Sequence, residues 1–213
     1  MKKKILAVVL AVVVLAVAAV GATLAWLMDT SDTVVNTFTL GNVSISLSET
    51  ITNDNGEGGN AYQLIPGNTY AKDPKVTVTG DSEACWLFIK VDEAGTNAAA
   101  ALEYAVRNDW TQLTVEQDDG EGGKINVPVA GVYYREVAAS EDDQSFYVLA
   151  GGADDLANGQ ITIRSTLTSD QMTEIQNGTV PSLAFTAYAI QKDNVANANT
   201  AWTEIQAVVN PEP

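Results

Sequence analysis

Hydrophobic and polar positions divide the chain into two kinds of pattern. Residues 5–22 are apolar apart from Gly21 and follow Lys2, Lys3 and Lys4. After residue 33 the pattern alternates with period two. Val43, Ile45 and Leu47 face away from Asn42, Ser44, Ser46 and Ser48, the spacing of a half-buried strand. Val34, Asn36, Phe38 and Leu40 hold the opposite parity, and the change at Gly41-Asn42 predicts a bulge or bend. Runs rich in Val, Ile, Thr, Tyr and Phe predict further strands over 75–79, 84–91, 102–107, 124–129, 132–137, 145–149, 160–168 and 183–191. Gly, Asn and Asp clusters separate them. The run from Ala84 through Cys85, Trp86, Leu87 and Phe88 to Ile89 is almost continuously apolar, which places it at the centre of the fold. Two short helices are expected: 170–176, capped by Ser169 and stopped at Gly178, and 201–208, capped by Asn199 or Thr200. Many short strands at this spacing predict an all-β, jelly-roll-type β-sandwich with one or two short helices.

The apolar N-terminus behind three lysines has the charged and hydrophobic regions of an export signal. Thr23 and Ala25 fit the small-residue positions of a signal-peptidase site, with cleavage between Ala25 and Trp26. The competing reading is a retained anchor. Residues 5–28 are long enough to cross a bilayer, with the lysines inside and the remainder outside. The expected organisation is residues 1–25 as signal peptide or anchor, 26–35 as an N-terminal arm, and 36–213 as a single sandwich domain. Membrane contact is expected only through residues 5–28 before cleavage.

Composition narrows the chemistry. The 213 residues hold 11 Lys and Arg, 27 Asp and Glu, and no His, for a net charge of −16. Removing residues 1–25 takes away three lysines and no acids, so the exported chain is more acidic still. An acidic surface argues against nucleic acid and anionic lipid as partners. Without histidine, Ser–His or Cys–His nucleophile pairs and His-containing zinc sites are excluded. Cys85 stands alone, so no disulfide forms within the chain. It lies in an apolar run and reads as a buried structural thiol. An exported protein without disulfides fits a bacterial exterior better than an animal secretory route. The chain carries no nucleophile elbow, phosphate loop or dinucleotide fingerprint, so no catalytic residue is assigned.

Two loops resemble each other, Asp54-Asn55-Gly56-Glu57-Gly58-Gly59 and Asp118-Asp119-Gly120-Glu121-Gly122-Gly123. Asp54, Glu57, Asp118, Asp119 and Glu121 are weak calcium candidates, since oxygen ligands on a Gly-rich loop suit Ca²⁺. Neither loop has the spacing of an EF-hand, and solvated hairpin turns explain both equally simply. No other cofactor is expected. Trp86, Trp110, Trp202, Tyr133 and Tyr134 would suit a carbohydrate-stacking face, but in a sandwich such residues more often fill the core.

The stretch Gly21-Ala22-Thr23-Leu24-Ala25-Trp26-Leu27-Met28-Asp29-Thr30-Ser31-Asp32-Thr33, continuing Asn36-Thr37-Phe38-Thr39-Leu40-Gly41-Asn42-Val43, resembles the signal junction of precursors processed by the SipW-type signal peptidase. That likeness spans residues 21–48. More loosely, the remainder resembles the TasA/camelysin group of Gram-positive extracellular matrix proteins. The similar pieces are Leu64-Ile65-Pro66-Gly67 with Asp73-Pro74, the run from Ala84 through Lys90 to Val91, and Gly131-Val132-Tyr133-Tyr134-Arg135. Ala187-Tyr188-Ala189-Ile190-Gln191 followed by Ala201-Trp202 completes them. The resemblance implies a jelly-roll subunit of biofilm fibres, secreted to the matrix or cell surface of a Gram-positive-type bacterium. Its implied partners are the SipW-type peptidase and other copies of itself. It further implies that the arm freed by cleavage adds as a strand to the neighbouring subunit. Trp26, Leu27, Met28, Val34 and Val35 would be the anchors of that exchange. The arm folding as the first strand of its own domain is the alternative. Camelysin-like members have been classed as metalloproteases, and the absence of histidine keeps that activity from carrying over.

The expected function is therefore structural: head-to-tail polymerisation into matrix fibres, with no enzymatic role. A monomeric or tethered surface adhesin using loops and exposed aromatics is the alternative. A carboxylate-based hydrolase or metalloprotease is a distant third.

Overall fold

The computed structural model describes residues 39–40, 43–50, 59–151 and 159–211. The signal or anchor segment, the arm with Trp26, Leu27, Met28, Val34 and Val35, the Ala25–Trp26 junction, and the loop holding Asp54 and Glu57 lie outside the described residues. So does the Gly41-Asn42 step. The chain divides between Asn36 and Thr37, and every described residue belongs to the C-terminal unit.

The most apolar run becomes the centre. Strand β5 (Cys85–Ala94) pairs antiparallel with β11 (Ser182–Gln191) along its whole length, from Cys85 opposite Gln191 to Ala94 opposite Ser182. On its other side β5 pairs with β8 (Lys124–Val137), from Cys85 opposite Val137 to Lys90 opposite Val132. Strand β7 (Thr111–Asp118) completes that side. Strand β1 (Thr39–Leu40) runs parallel to β11 at its far end, Thr39 opposite Ala189 and Leu40 opposite Ile190. This gives a five-stranded sheet in the order β1-β11-β5-β8-β7. Two three-stranded antiparallel sheets accompany it. One is β2 (Ile45–Ser48), β4 (Lys75–Val78) and β9 (Gln144–Tyr147), with β4 central. The other is β3 (Thr69–Ala71), β10 (Gln160–Ile163) and β6 (Leu102–Glu103), with β10 central. Three helices, α1 (Ala98–Ala101), α2 (Ser169–Asn177) and α3 (Ala198–Val209), are present among the described residues.

Period-two alternation on β5 feeds two cores. Cys85, Leu87 and Ile89 pack with Val76 and Val78 of β4, Trp110, Val148 and Leu149. Trp86 and Phe88 point the other way, toward Leu113, Val132 and the α3 residues Ala198, Ala201 and Ile205. A third cluster joins Leu102, Ile161 and Ile163 to Ile175 of α2. Phe88, Leu87 and Ile89 are fully buried. Each contributes about 2–3 kcal/mol of burial. The tryptophans Trp86 and Trp110 are buried, Trp202 stacks 5.3 Å from Phe88, and Tyr134 lies 5.9 Å from Trp86. These aromatics form core rather than a stacking face. Cys85 is fully buried, and burial pushes its thiol up to about 11.

The all-β expectation therefore holds for the sheets, while several boundaries move. The two strands expected at 124–129 and 132–137 are one, β8, carried through Pro128 and Gly131. Gly131 adopts φ 68°, and a Cβ there would run into the Val91 carbonyl. It marks the point where β8 leaves β5 and continues paired only with β7. The strand expected over 102–107 is only Leu102–Glu103, followed by a single bridge of Val106 to Leu149. That expected over 160–168 ends at Ile163. The cap of α2 is Thr168, not Ser169: its hydroxyl accepts from the Gln171 N–H, and the Gln171 side chain accepts from the Thr168 N–H. The cap of α3 is Asn197, which accepts from the Thr200 N–H, so this helix starts earlier than expected. In both cases the capping oxygen reaches the third helical residue, which a one-position shift would prevent.

Candidate functional site

Among the described residues, β2 pairs with β4 alone, and β11 beyond its short pairing with β1 pairs with β5 alone. Over residues 182–188 no described strand lies on the other edge of β11. Between the edges lies a groove of about 680 Å³. Leu47 and Ser48 of β2 and Leu183 and Phe185 of β11 form its walls, and Ile161, Ile163 and Leu102 line it further in. Residues 59–64 also contribute to its lining. Leu183, Phe185 and Ala187 are half-buried on the inner face of β11, while Ser182, Ala184 and Thr186 are exposed. A row of backbone groups beside an apolar trough is the geometry an added strand uses, with main-chain hydrogen bonds for affinity and alternate side chains for fit.

The lining mixes apolar side chains with a polar cluster that holds two charges, Lys72 and Glu49, beside Asn60 and Tyr62. Lys72 follows β3, and alternation from Tyr70 through Pro74, Val76 and Val78 keeps it on the inward side. It is buried, and its Nζ lies 3.0 Å from Glu49 Oε2 and 3.2 Å from Oε1. The Asn60 side-chain amide donates to Glu49 Oε1 at 3.0 Å and to the Thr50 carbonyl at 2.9 Å. Tyr62 donates to the Ala71 carbonyl at 2.8 Å and approaches Glu49 Oε1 at 3.3 Å. Burial, and then the Glu49 charge, raise the Tyr62 phenol well above its usual range. The Lys72 ammonium also sits 5.2 Å from the centre of the Phe185 ring and 5.9 Å from that of Tyr62. Asp73 ties down the neighbouring backbone, accepting from the Thr50 N–H at 2.9 Å and from its hydroxyl at 2.7 Å. Glu49, Asn60, Tyr62 and Lys72 carry no motif and are separated by up to 23 residues. The inward parity of Lys72 is the one signal that would have found them.

A second charged cluster lies on the inner side of β8. The Arg135 guanidinium stacks 3.7 Å from the Phe146 ring centre and 5.5 Å from that of Trp110. Its Nη1 is 3.0 Å from Asp109 Oδ2, and the Arg107 Nε is 3.4 Å from Asp109 Oδ1. The Arg135 Nε is buried without a hydrogen-bond partner.

The calcium candidates Asp118, Asp119 and Glu121 lie at the exposed turn joining β7 and β8. Asp119 Oδ1 accepts from the Glu121 and Gly123 N–H groups, both at 2.8 Å. These backbone bonds hold its carboxyl below the ordinary range. Asp119 thus ties the turn together through its contacts with the loop backbone. Among the described residues, no group of three or more Cys, Asp or Glu side chains gathers in a metal-binding arrangement. No helix among the described residues is long and apolar enough to cross a membrane.

Comparison of the chain with known protein families, characterised proteins and solved structures finds no match.

Proposed function

We propose that the protein is an exported structural subunit that polymerises head-to-tail by N-terminal strand addition into extracellular fibres. The observation that supports this reading best is the β11 edge over residues 182–188, on which no described strand lies, beside the groove. The donor in this reading is residues 26–35 of the neighbouring copy, which lie outside the described residues, with Trp26, Leu27, Met28, Val34 and Val35 as anchors. Residues 1–25 act as signal, and a SipW-type cleavage after Ala25 frees the arm. The jelly-roll connection of the strands and a matrix or cell-surface location belong to the same proposal. A head-to-tail contact between two different surfaces does not close on itself, so it grows a filament. No enzymatic step and no cofactor are needed.

Electron microscopy of protein beginning at Trp26 tests it: filaments are expected, and deletion of residues 26–35 leaves monomers. Placing lysine at Ser182 and Thr186, both exposed on the acceptor edge, blocks assembly and leaves the melting temperature unchanged. Filament yield rises with salt, acid or divalent cations, which weaken repulsion between acidic subunits. Monomers that persist at high concentration under all of these conditions overturn the reading.

A further inference from the structure

We propose that Lys72 and Asn60 are joined by an intramolecular amide bond between their side chains, formed autocatalytically with Glu49 as the proton carrier. The proposal rests on side-chain geometry at the groove and does not depend on the fibre reading.

Three features of the cluster fit the chemistry. First, the amine that would attack and the amide nitrogen that would leave are held by one carboxylate. Lys72 Nζ and Asn60 Nδ2 both donate to Glu49 Oε1, at 3.2 and 3.0 Å, so the nucleophile and leaving group are neighbours around a single oxygen. Second, the Asn60 amide is turned the right way. Its NH₂ faces two acceptors, Glu49 Oε1 and the Thr50 carbonyl, which fixes the nitrogen on the side of the group that must protonate it. Third, the surroundings are apolar and aromatic. The Phe185 and Tyr62 rings flank the ammonium, and the side chains of Lys72 and Glu49 are only 8% and 13% exposed. Little water competes there, and the reactants are held together before reaction.

The step balances without an oxidant or a metal. Glu49 takes a proton from the Lys72 ammonium, and the freed amine attacks Asn60 Cγ. The Nζ–Cγ bond forms as a tetrahedral centre. Glu49 returns its proton to Nδ2, the Cγ–Nδ2 bond breaks, and ammonia leaves. The second proton lost from Nζ converts the ammonia to ammonium. One carboxylate thus serves as base and then as acid, and ends as it began.

The product would close a covalent loop over residues 60–72 and fasten the chain that lines the groove to the start of the strand run leading into β4. In a chain whose only cysteine is Cys85, this supplies a covalent tie that a disulfide cannot.

Intact-mass measurement of the folded full chain tests the proposal. Wild-type protein is expected to be lighter than its sequence by one ammonia. Chymotryptic digestion, which cuts at Tyr62 and Tyr70, should leave a peptide containing Asn60 joined to one containing Lys72. Glu49→Gln keeps the shape of the side chain but cannot carry the proton, so it restores the sequence mass and separates the two peptides. Asn60→Ala does the same and serves as the control where Glu49→Gln fails to fold. Folded wild-type protein at its full sequence mass, with the two peptides separate, overturns the proposal. So does an ammonia loss that maps to succinimide at Asn55, Asn158 or Asn177, each of which precedes a glycine.

Discussion

Glu49–Lys72 and Asp109–Arg135 are both ion pairs set against aromatic rings, yet they are built differently. In the first, both side chains are nearly out of solvent, at 8% and 13% exposure. In the second, the arginine is 20% and the aspartate 43% exposed. The groove pair is completed by neutral hydrogen bonds from Asn60 and Tyr62. The β8 pair is completed by ring stacking and by a second cation, Arg107. The difference follows from the cations. A guanidinium is planar, weakly hydrated and permanently charged, so it lies flat on Phe146 and keeps its charge. An ammonium is a compact charge that can give up a proton and become a nucleophile, so the company it keeps decides its chemistry.

Removing one partner from each pair should separate them most. Glu49→Ala or Lys72→Ala leaves a buried charge uncompensated and should cost about 3–5 kcal/mol in urea unfolding. Asp109→Ala leaves a partly solvated arginine still stacked on Phe146, and should cost about 1 kcal/mol. Equal costs at the two sites would erase the distinction. A smaller effect comes from replacing both groove partners. On an Asn60→Ala background, where no amide bond can form, Glu49→Leu combined with Lys72→Met should come within about 2 kcal/mol of that parent, because no orphan charge remains. A double variant as weak as either single one on that background would mean that the Tyr62 bond holds the site instead. At the β8 site, Arg135→Lys keeps the charge and loses the flat contact, for about 1 kcal/mol.

The smallest effect is one of pH. The Tyr62 phenol is raised in the folded protein, so the unfolded chain loses its proton first as pH climbs. Stability from this group is complete below pH 10.0 and declines above it. Tyr104 is raised in the same direction, by burial and its bond to Glu93, and Cys85 adds a decline beginning near pH 9.0. Tyr62→Phe should therefore flatten part of the alkaline loss seen by circular dichroism. An unchanged alkaline profile would remove Tyr62 from the account.

What the sequence made legible depended on how far burial and alternation coincide. β5 is apolar on both faces because it is covered on both, and its place at the centre could be read directly. β7 was missed because Thr111–Asp118 is mostly polar: only Leu113 is buried, and the strand is held by backbone pairing to β8. β3, three residues long, leaves no periodic trace. Pro128 and Gly131 divided β8 on paper because each usually ends a strand. Here the proline pairs with Thr114, and the glycine carries the positive φ that lets the strand turn away from β5. The charged cluster at the groove was invisible for another reason. Its members come from the end of β2, the segment before β3 and the link into β4, and only the folded sheets bring them together. The acidic turn, by contrast, was legible as a turn, since Asp119 and its glycines act within six consecutive residues.

The pairing of β1 with the far end of β11 has a kinetic consequence. The chain enters the described fold at Thr39, directly beside Ala189, at one end of the β11 edge that the proposed arm would occupy. If the protein assembles by the strand addition proposed above, a chain's own arm competes for its own edge at an effective concentration of about a millimolar or more. A second molecule would have to outcompete it, so growth by exchange would begin after a lag and depend steeply on protein concentration. Preformed filament ends would shorten the lag, because an end offers an edge whose own arm is committed elsewhere.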